Sequence, residues 1–129
     1  MKALTLTQPW ATGVALGWKG YETRSWRTSY RGELAIHAAM GFPKYARDFA
    51  TTERTLGRIP ERIPRGAVVC VVKLLDCRPA EEVAGEVSAI ERLYGDYSPG
   101  RWAWQLQLVR VFEEPIPARG ALGLWEWVP

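Results

Sequence analysis

The sequence predicts an α+β domain in which about five to six strands form a small mixed β-barrel, with two to three helices inserted between strands. Apolar and polar residues alternate in several short runs, as expected for strands with one buried face. Strands outnumber helices and do not alternate with them regularly, unlike the strands of parallel α/β folds. A barrel would bury such apolar strands while leaving few exposed edges.

The chain has the size of one domain, since its 129 residues are 47% hydrophobic and can bury one core. We therefore expect a single domain over residues 1–129. No apolar run approaches the roughly 20 residues of a membrane-spanning helix, and the first residues lack the pattern of a signal peptide. The expected compartment is the cytoplasm, with no membrane partner, and the oligomeric state is left open.

The first elements are a strand and a short helix. Residues 3–7 alternate and predict the first strand. Thr7 is a candidate N-cap, Pro9 suits the first helical turn, and Gly17 provides a stop, which together predict the first helix. Residues 21–27 and 33–39 then predict a second and a third strand, which we expect to pair as a hairpin.

The remainder alternates between helical and extended patterns. Residues 43–56 predict a second helix, and residues 79–94 a third that Gly85 interrupts. The valine-rich residues 67–75 predict a buried central strand, and further strands are expected at residues 102–112 and 124–128. Between them, Pro60 and Pro64 make residues 58–66 a loop that forms a basic cluster with the preceding helix. The cluster is a candidate phosphate-contacting patch or a solvated charged loop, and consists of Arg54, Arg58, Arg62 and Arg65.

The amino-acid composition favours nucleic acid as a partner. The formal charge is +3, most cations are arginines, and the chain has seven tryptophans. Arginine contacts phosphate bidentately, and single-stranded nucleic acids stack on aromatic side chains. The alternative is that the tryptophans fill the core of a small β-rich domain. Cys70 and Cys77 lack metal-site spacing and are expected to be reduced core residues, so we expect no metal and no cofactor.

The most unusual stretch runs from Lys19 to Arg27. In an extended chain, Glu22, Arg24 and Trp26 share one face, and the long stem of Lys19 can reach over that face. A lysine beside a carboxylate and an arginine can hold a phosphate, polarise a carbonyl or activate a water. The same residues can also form an ordinary ion-pair network. The chain has no nucleotide-binding glycine fingerprint and no nucleophile elbow.

Several motifs resemble the ASCH domain. Residues 4–10 read LTLTQPW, residues 17–24 read GWKGYETR, and YRG at 30–32 is followed by IHA at 36–38. Near the far end, PIP at 115–117 precedes Gly120 and LGLW. The most specific part is the G-x-K-x-x-E-x-R pattern at Gly17, Lys19, Glu22 and Arg24, and the resemblance spans nearly the whole chain.

This resemblance implies a PUA-like β-barrel with a cleft, between barrel and helices, that binds RNA or nucleotides. One small bacterial group within the family removes the acetyl group from an acetylated cytidine. In that comparison Lys19 matches the catalytic lysine and Arg24 the following arginine, while Glu22 stands where that group has a threonine. Other members are linked to ribonuclease activity, for which Lys19, Glu22 and His37 are the candidate acid-base groups.

The leading hypothesis is a module that binds RNA, a nucleoside or a nucleotide in a basic, aromatic-lined cleft. Its alternatives are an amidohydrolase acting on a modified nucleoside such as N4-acetylcytidine, with Lys19 and Glu22 as catalytic residues, and a ribonuclease. A third interpretation is structural, with Glu22 and Arg24 as a salt bridge in a protein that works through protein contacts. The candidate ligand-binding residues are Gln8, Trp10, Lys19, Glu22, Arg24, Trp26, Arg27 and His37.

Overall fold

Six strands form one mixed sheet that curls into a half-barrel in the computed structural model, which describes residues 1–129. The strands are β1 Lys2–Leu6, β2 Tyr21–Arg24, β3 Gly32–Ala38, β4 Ala67–Pro79, β5 Trp102–Pro117 and β6 Leu124–Glu126. The helices are α1 Trp10–Leu16, α2 Lys44–Thr55, α3 Ala80–Val83 and α4 Ala89–Leu93.

The strand order is β2-β5-β4-β3-β1-β6, and β2 and β6 form the two outer edges. Only β1 and β3 pair in parallel; all other neighbours are antiparallel. This arrangement confirms the predicted α+β class and the predicted number of strands, and it is consistent with a PUA-like fold.

The main hydrophobic core packs α1 against one face of the sheet, and a smaller cluster that includes Trp127 lies on the other face. The predicted central strand is β4, which pairs with β3 on one side and β5 on the other and extends to Pro79. Its residues from Ala67 to Val72 are all buried, because neighbouring strands take its edges and side chains cover both faces. Cys70 and Cys77 are free thiols, and burial raises the pKa of the Cys70 thiol to about 12.

The predicted hairpin of the second and third strands is wrong. β2 pairs with β5, with Glu22 opposite Trp104, whereas β3 pairs with β1 and β4. Both edges of β3 are therefore occupied by β1 and β4. The strand β2 pairs with β5 instead and forms an outer edge of the sheet. The strand β2 also ends at Arg24, so Trp26 and Arg27 lie outside it.

The first helix ends as predicted, with Gly17 in the left-handed conformation at φ 87°. Its predicted N-cap is wrong, because Pro9 occupies the cap position and makes no side-chain hydrogen bond there. Instead the Gln8 side-chain oxygen accepts a hydrogen bond from the Thr12 N–H at 3.0 Å. An amide carbonyl thus replaces the predicted Thr7 hydroxyl near the start of α1.

The third predicted helix is divided into α3 and α4, which flank Gly85. The second part starts afresh at Ser88, whose hydroxyl accepts a hydrogen bond from the Glu91 N–H at 3.2 Å. Glu91 of α4 accepts a hydrogen bond from the Gly20 N–H, just before β2. None of the four helices combines the length and apolar character needed to cross a membrane.

Candidate functional site

A cavity of about 510 Å³ opens where the end of β1 meets β2 and the loop after α4; we call it the cleft. Its volume lies in the range of small-molecule sites in proteins. Three cations and two carboxylates line it together with aromatic and hydroxyl side chains. The lining residues are Thr5, Leu6, Thr7, Trp10, Lys19, Glu22, Thr23, Arg24, Tyr45, Leu93, Tyr94, Gly95, Asp96 and Arg101.

A chain of paired charges crosses the cleft. The Lys19 ammonium lies 3.3 Å from Glu22 Oε1, and Arg24 Nε donates to Glu22 Oε2 at 2.8 Å. Arg24 Nη2 also donates to the Thr5 carbonyl at 2.7 Å, which ties β2 to β1. The two cations therefore share one carboxylate, and each carboxylate oxygen has its own cationic partner.

The backbone after α1 directs Lys19 inward. Gly17 reverses the chain, and the Lys19 N–H then donates to the Gly13 carbonyl at 3.1 Å. The Lys19 side chain is 0% exposed, and its Nζ donates to the Tyr94 carbonyl at 2.7 Å. A buried ammonium needs such partners, because desolvation penalises its charge.

The Tyr94 hydroxyl is bound to a second ion pair, formed by Glu53 and Arg58. The hydroxyl donates to the Glu53 carboxylate, and Arg58 binds the same carboxylate through two nitrogens at 2.8 and 2.9 Å. The Arg58 hydrogen bonds, aided by the Tyr94 hydroxyl, hold the pKa of Glu53 below its ordinary value despite burial. Burial, followed by the Glu53 carboxylate, raises the pKa of Tyr94. The carbonyl that receives Lys19 therefore belongs to a fixed residue.

Glu91 is a second carboxylate near Lys19. Its Oε1 accepts the Gly20 N–H at 2.6 Å, while its Oε2 is buried without a hydrogen-bond partner. Burial raises the pKa of Glu91, opposed by the Gly20 N–H and by the positive charge of Lys19. Sequence reasoning missed Glu91, although the spacing from Ser88 to Glu91 is typical of a helix start.

The far wall of the cleft comes from the loop before β5. Arg101 Nη2 donates to the Thr23 carbonyl at 3.0 Å, and its Nε lies 3.4 Å from Asp96 Oδ2. The Asp96 N–H in turn donates to Thr23 Oγ1 at 2.9 Å. No local sequence pattern indicates that this loop folds back onto β2.

Four of the predicted site residues line the cleft, namely Trp10, Lys19, Glu22 and Arg24. Trp10 lies half-buried at the start of α1, where its ring stacks on Phe49 at a centroid distance of 5.3 Å and an angle of 4°. The helix α2 thus supports the aromatic side of the cleft.

The structure places Gln8, Trp26 and Arg27 outside the cleft. Gln8 is completely buried, and its amide nitrogen donates to the Pro64 carbonyl at 2.6 Å, so both ends of its amide are used within the fold. Trp26 packs edge-on against Trp104 at 4.8 Å, and the Arg27 guanidinium lies over Trp102 at 5.2 Å.

His37 also lies elsewhere, because β3 is not adjacent to β2. Its Nε2 must donate, since it faces the Ala118 carbonyl at 2.7 Å, and its Nδ1 lies 3.1 Å from Thr5 Oγ1. Both ring nitrogens are engaged and the residue is 2% exposed. The trio of Lys19, Glu22 and His37 needed for the ribonuclease interpretation is therefore not assembled.

The predicted basic cluster is dispersed around α2 and the following loop. Arg58 is engaged by Glu53, and Arg65 donates to the Met40 carbonyl at 2.9 Å and lies over Phe42. None of its four arginines, Arg54, Arg58, Arg62 and Arg65, lines the cleft.

Comparisons with known proteins agree with the motifs at the cleft. The chain matches the family model of the ASCH domain over residues 4–116, which include every residue lining the cleft. It is similar to activating signal cointegrator 1 of Mus musculus, with 37% identity over 81 residues, and of Homo sapiens, with 35% over 80. Each alignment covers 57% of this chain and 14% of the relative's length. The chain therefore belongs to the ASCH domain family.

Proposed function

We propose that this chain is an RNA- or nucleotide-binding module and that its ligand occupies the cleft. Membership of the ASCH family supports an RNA-related binding module in general. The observation that carries the finer proposal is the convergence of Lys19, Glu22 and Arg24 on one concave surface beside the ring of Trp10.

The cleft retains donors for an anionic or carbonyl-bearing ligand. Lys19 directs its ammonium toward Tyr94 and Glu22, and its side chain is 0% exposed, so it contributes positive charge to the cleft and no free donor. Arg24 uses Nε and Nη2 within the protein, and its side chain remains 23% exposed. Its Nη1 is therefore available for a phosphate oxygen or a base carbonyl.

The same surface offers acceptors and an aromatic ring. Glu22 and Asp96 can accept hydrogen bonds from the amino groups of a base. Trp10 is supported by Phe49 on one side, so a base that stacks on it meets a fixed ring. Such stacking is worth about 1–3 kcal/mol per base.

A binding titration tests this proposal. Short single-stranded RNAs and nucleotides are titrated into the wild type, Arg24→Gln and Glu22→Gln at two salt concentrations. Both variants should weaken binding by at least about tenfold, the effect expected when a charged hydrogen bond is lost. Lys73→Gln removes a charge from an exposed position outside the cleft and should bind as the wild type does.

The outcomes separate binding from a structural role. Equal affinity of the wild type and Glu22→Gln would favour the interpretation in which Glu22 only fixes the fold through its ion pairs. If the wild type and Lys19→Ala were equally inert toward all RNAs and nucleotides, the binding proposal would be wrong.

An amidohydrolase acting on a modified nucleoside is the second candidate. The observation that favours it is the position of the Lys19 ammonium beside Glu22 at the wall of the cleft. Excess protein is incubated with N4-acetylcytidine and the release of cytidine is followed by chromatography. Turnover that Lys19→Ala abolishes would support hydrolysis, whereas absence of cytidine would leave binding as the function.

A further inference from the structure

A second cavity, which we call the groove, opens beside the cleft with a volume of about 900 Å³. It shares one residue, Thr5, with the cleft. Most of its other residues are small or apolar, and none carries a carboxylate. They are His37, Ala39, Met40, Gly66, Pro117, Ala118, Arg119, Gly120, Ala121 and Leu122.

The parallel pairing of β1 and β3 explains why the two cavities are neighbours. Both strands run the same way and end side by side, at Leu6 and Ala38. The residue after β1, Thr7, lines the cleft, while Ala39 and Met40 after β3 line the groove. The two cavities therefore open at the same end of the sheet.

Thr5 forms the partition between the cavities. On the cleft side its carbonyl accepts Arg24 Nη2 at 2.7 Å. On the groove side its hydroxyl accepts the Trp125 Nε1–H at 3.1 Å and lies 3.1 Å from His37 Nδ1. A methyl group added at Gly120 would lie 2.7 Å from Thr5 Oγ1, so glycine there allows the close packing of this wall. Thr5 therefore lines both cavities, with its carbonyl on the side of the cleft and its hydroxyl on the side of the groove.

The chemistry of the groove fits a base joined to a phosphate. Met40 and Leu122 are 66% and 98% exposed, an apolar surface on which the face of a base can lie. Arg119 supplies a guanidinium, and Arg65 is held nearby through its hydrogen bond to the Met40 carbonyl. One arginine and no carboxylate among the groove's lining residues favour a phosphate as part of the ligand.

We infer that the ligand is a single-stranded RNA segment of at least two nucleotides, with one nucleotide in the cleft and its neighbour in the groove across Thr5. This inference rests on the proposed function and narrows its ligand from a free nucleotide to a strand. Arg119 contacts the phosphate that follows the nucleotide in the cleft.

The experiment compares ligand lengths. The four nucleoside monophosphates and the matching homotrinucleotides are titrated into the wild type, Arg119→Gln and Leu122→Asp over a range of salt concentrations. The trinucleotide should bind the wild type at least about fivefold more tightly than the monophosphate, the lower limit for one further base contact. Arg119→Gln should remove most of this gain. It should also make the fall of log affinity with log salt less steep by about 0.7, the value for one phosphate of a single strand.

Leu122→Asp is the second variant, because its side chain is almost fully exposed and its replacement leaves the core intact. Its new carboxylate should repel the phosphate and reduce the gain as Arg119→Gln does. The matched control is Arg110→Gln, an arginine that lines neither cavity and should behave as the wild type.

Failure of this inference is distinct from failure of the proposed function. If monophosphates bind but trinucleotides bind no more tightly, or if Arg119→Gln and Arg110→Gln are indistinguishable, the groove is not a second nucleotide site. If neither length binds the wild type, the proposed function is wrong and the inference falls with it.

Discussion

Lys19 is a charge that the fold encloses and then compensates. An isolated buried ammonium would cost far more free energy than a small domain has in reserve. Here the Tyr94 carbonyl and the Glu22 carboxylate partner it, and Arg24 balances the second oxygen of Glu22. The buried charge of Lys19 is therefore stable only together with these partners.

Removal of Lys19 should affect stability as well as binding. Lys19→Ala leaves the Tyr94 carbonyl buried without its donor, and we expect the free energy of unfolding to fall by roughly 1–3 kcal/mol, the usual cost of an unsatisfied buried polar group. Urea denaturation measures this change. Lys73→Ala, an exposed lysine on β4, should shift the free energy of unfolding by less than about 0.5 kcal/mol. Equal effects of the two changes would contradict the role given to burial.

Glu53 should make the fold sensitive to acid. Arg58 and Tyr94 hold its pKa in the folded state below the ordinary value of 4.5. The folded state thus binds the proton less readily than the unfolded chain, so the carboxylate stabilises the fold above pH 4.5 and loses this effect as the pH falls through the lower folded pKa.

The matching experiment is urea denaturation of the wild type and Glu53→Gln at pH 7 and pH 3. Glu53→Gln should be clearly less stable than the wild type at pH 7, and the difference should shrink at pH 3. The exposed Glu113→Gln serves as control and should follow the wild type at both values. A difference that is the same at both pH values would show that the Glu53 charge is not responsible.

At the scale of elements, α1 and α4 meet at the residue that receives Lys19. The Tyr94 ring, just after α4, lies against Gly13 of α1, and Phe49 of α2 packs on it edge-on at 5.2 Å. Three helices therefore converge on one buried side chain. The absence of a side chain at Gly13 is what permits this approach.

Gly13→Ala tests this packing. Alanine is the better helix former by about 0.8–1.0 kcal/mol, which alone would stabilise α1. The added Cβ, however, would lie 2.8 Å from two carbons of the Tyr94 ring, which is 0% exposed and packed against Phe49. Overpacking costs about 1–3 kcal/mol, so we expect net destabilisation in a thermal melt, with weaker ligand binding because Lys19 loses its anchor. A higher melting temperature would mean that the ring can move.

At the scale of the whole molecule, charge is spread rather than concentrated. The net charge is only +3, and most arginines near α2 are engaged with the backbone, with carboxylates or with aromatic rings. Affinity for nucleic acid should therefore arise from a small site and not from a broad basic surface.

This distribution predicts a shallow dependence of RNA affinity on salt. With one or two phosphates held, log affinity should fall with log salt at a slope of about −0.7 to −1.4. Fluorescence titrations with a short RNA between low and moderate salt measure the slope. A slope several times steeper would indicate an extensive basic surface that includes the arginines around α2.

The sequence by itself determined the elements and the local grouping of charges. Alternating or continuous apolar patterns located all six strands, although β4 and β5 extend beyond their predicted ends, and Gly17 marked the end of α1. Lys19, Glu22 and Arg24 lie within six residues of one another, so local chain geometry brings them together whatever the rest of the chain does. The motifs in these same residues identified the family.

Only the tertiary structure decided which strands pair and which distant residues complete the cleft. Strand pairing depends on which edges remain free in the whole sheet, and this put β2 beside β5 and removed His37 from the cleft. Tyr94 is 75 residues from Lys19, and no periodic pattern encodes a contact over that separation. Side-chain periodicity is a property of neighbouring residues, whereas the walls of a cleft form where separate segments bury their surfaces against one another.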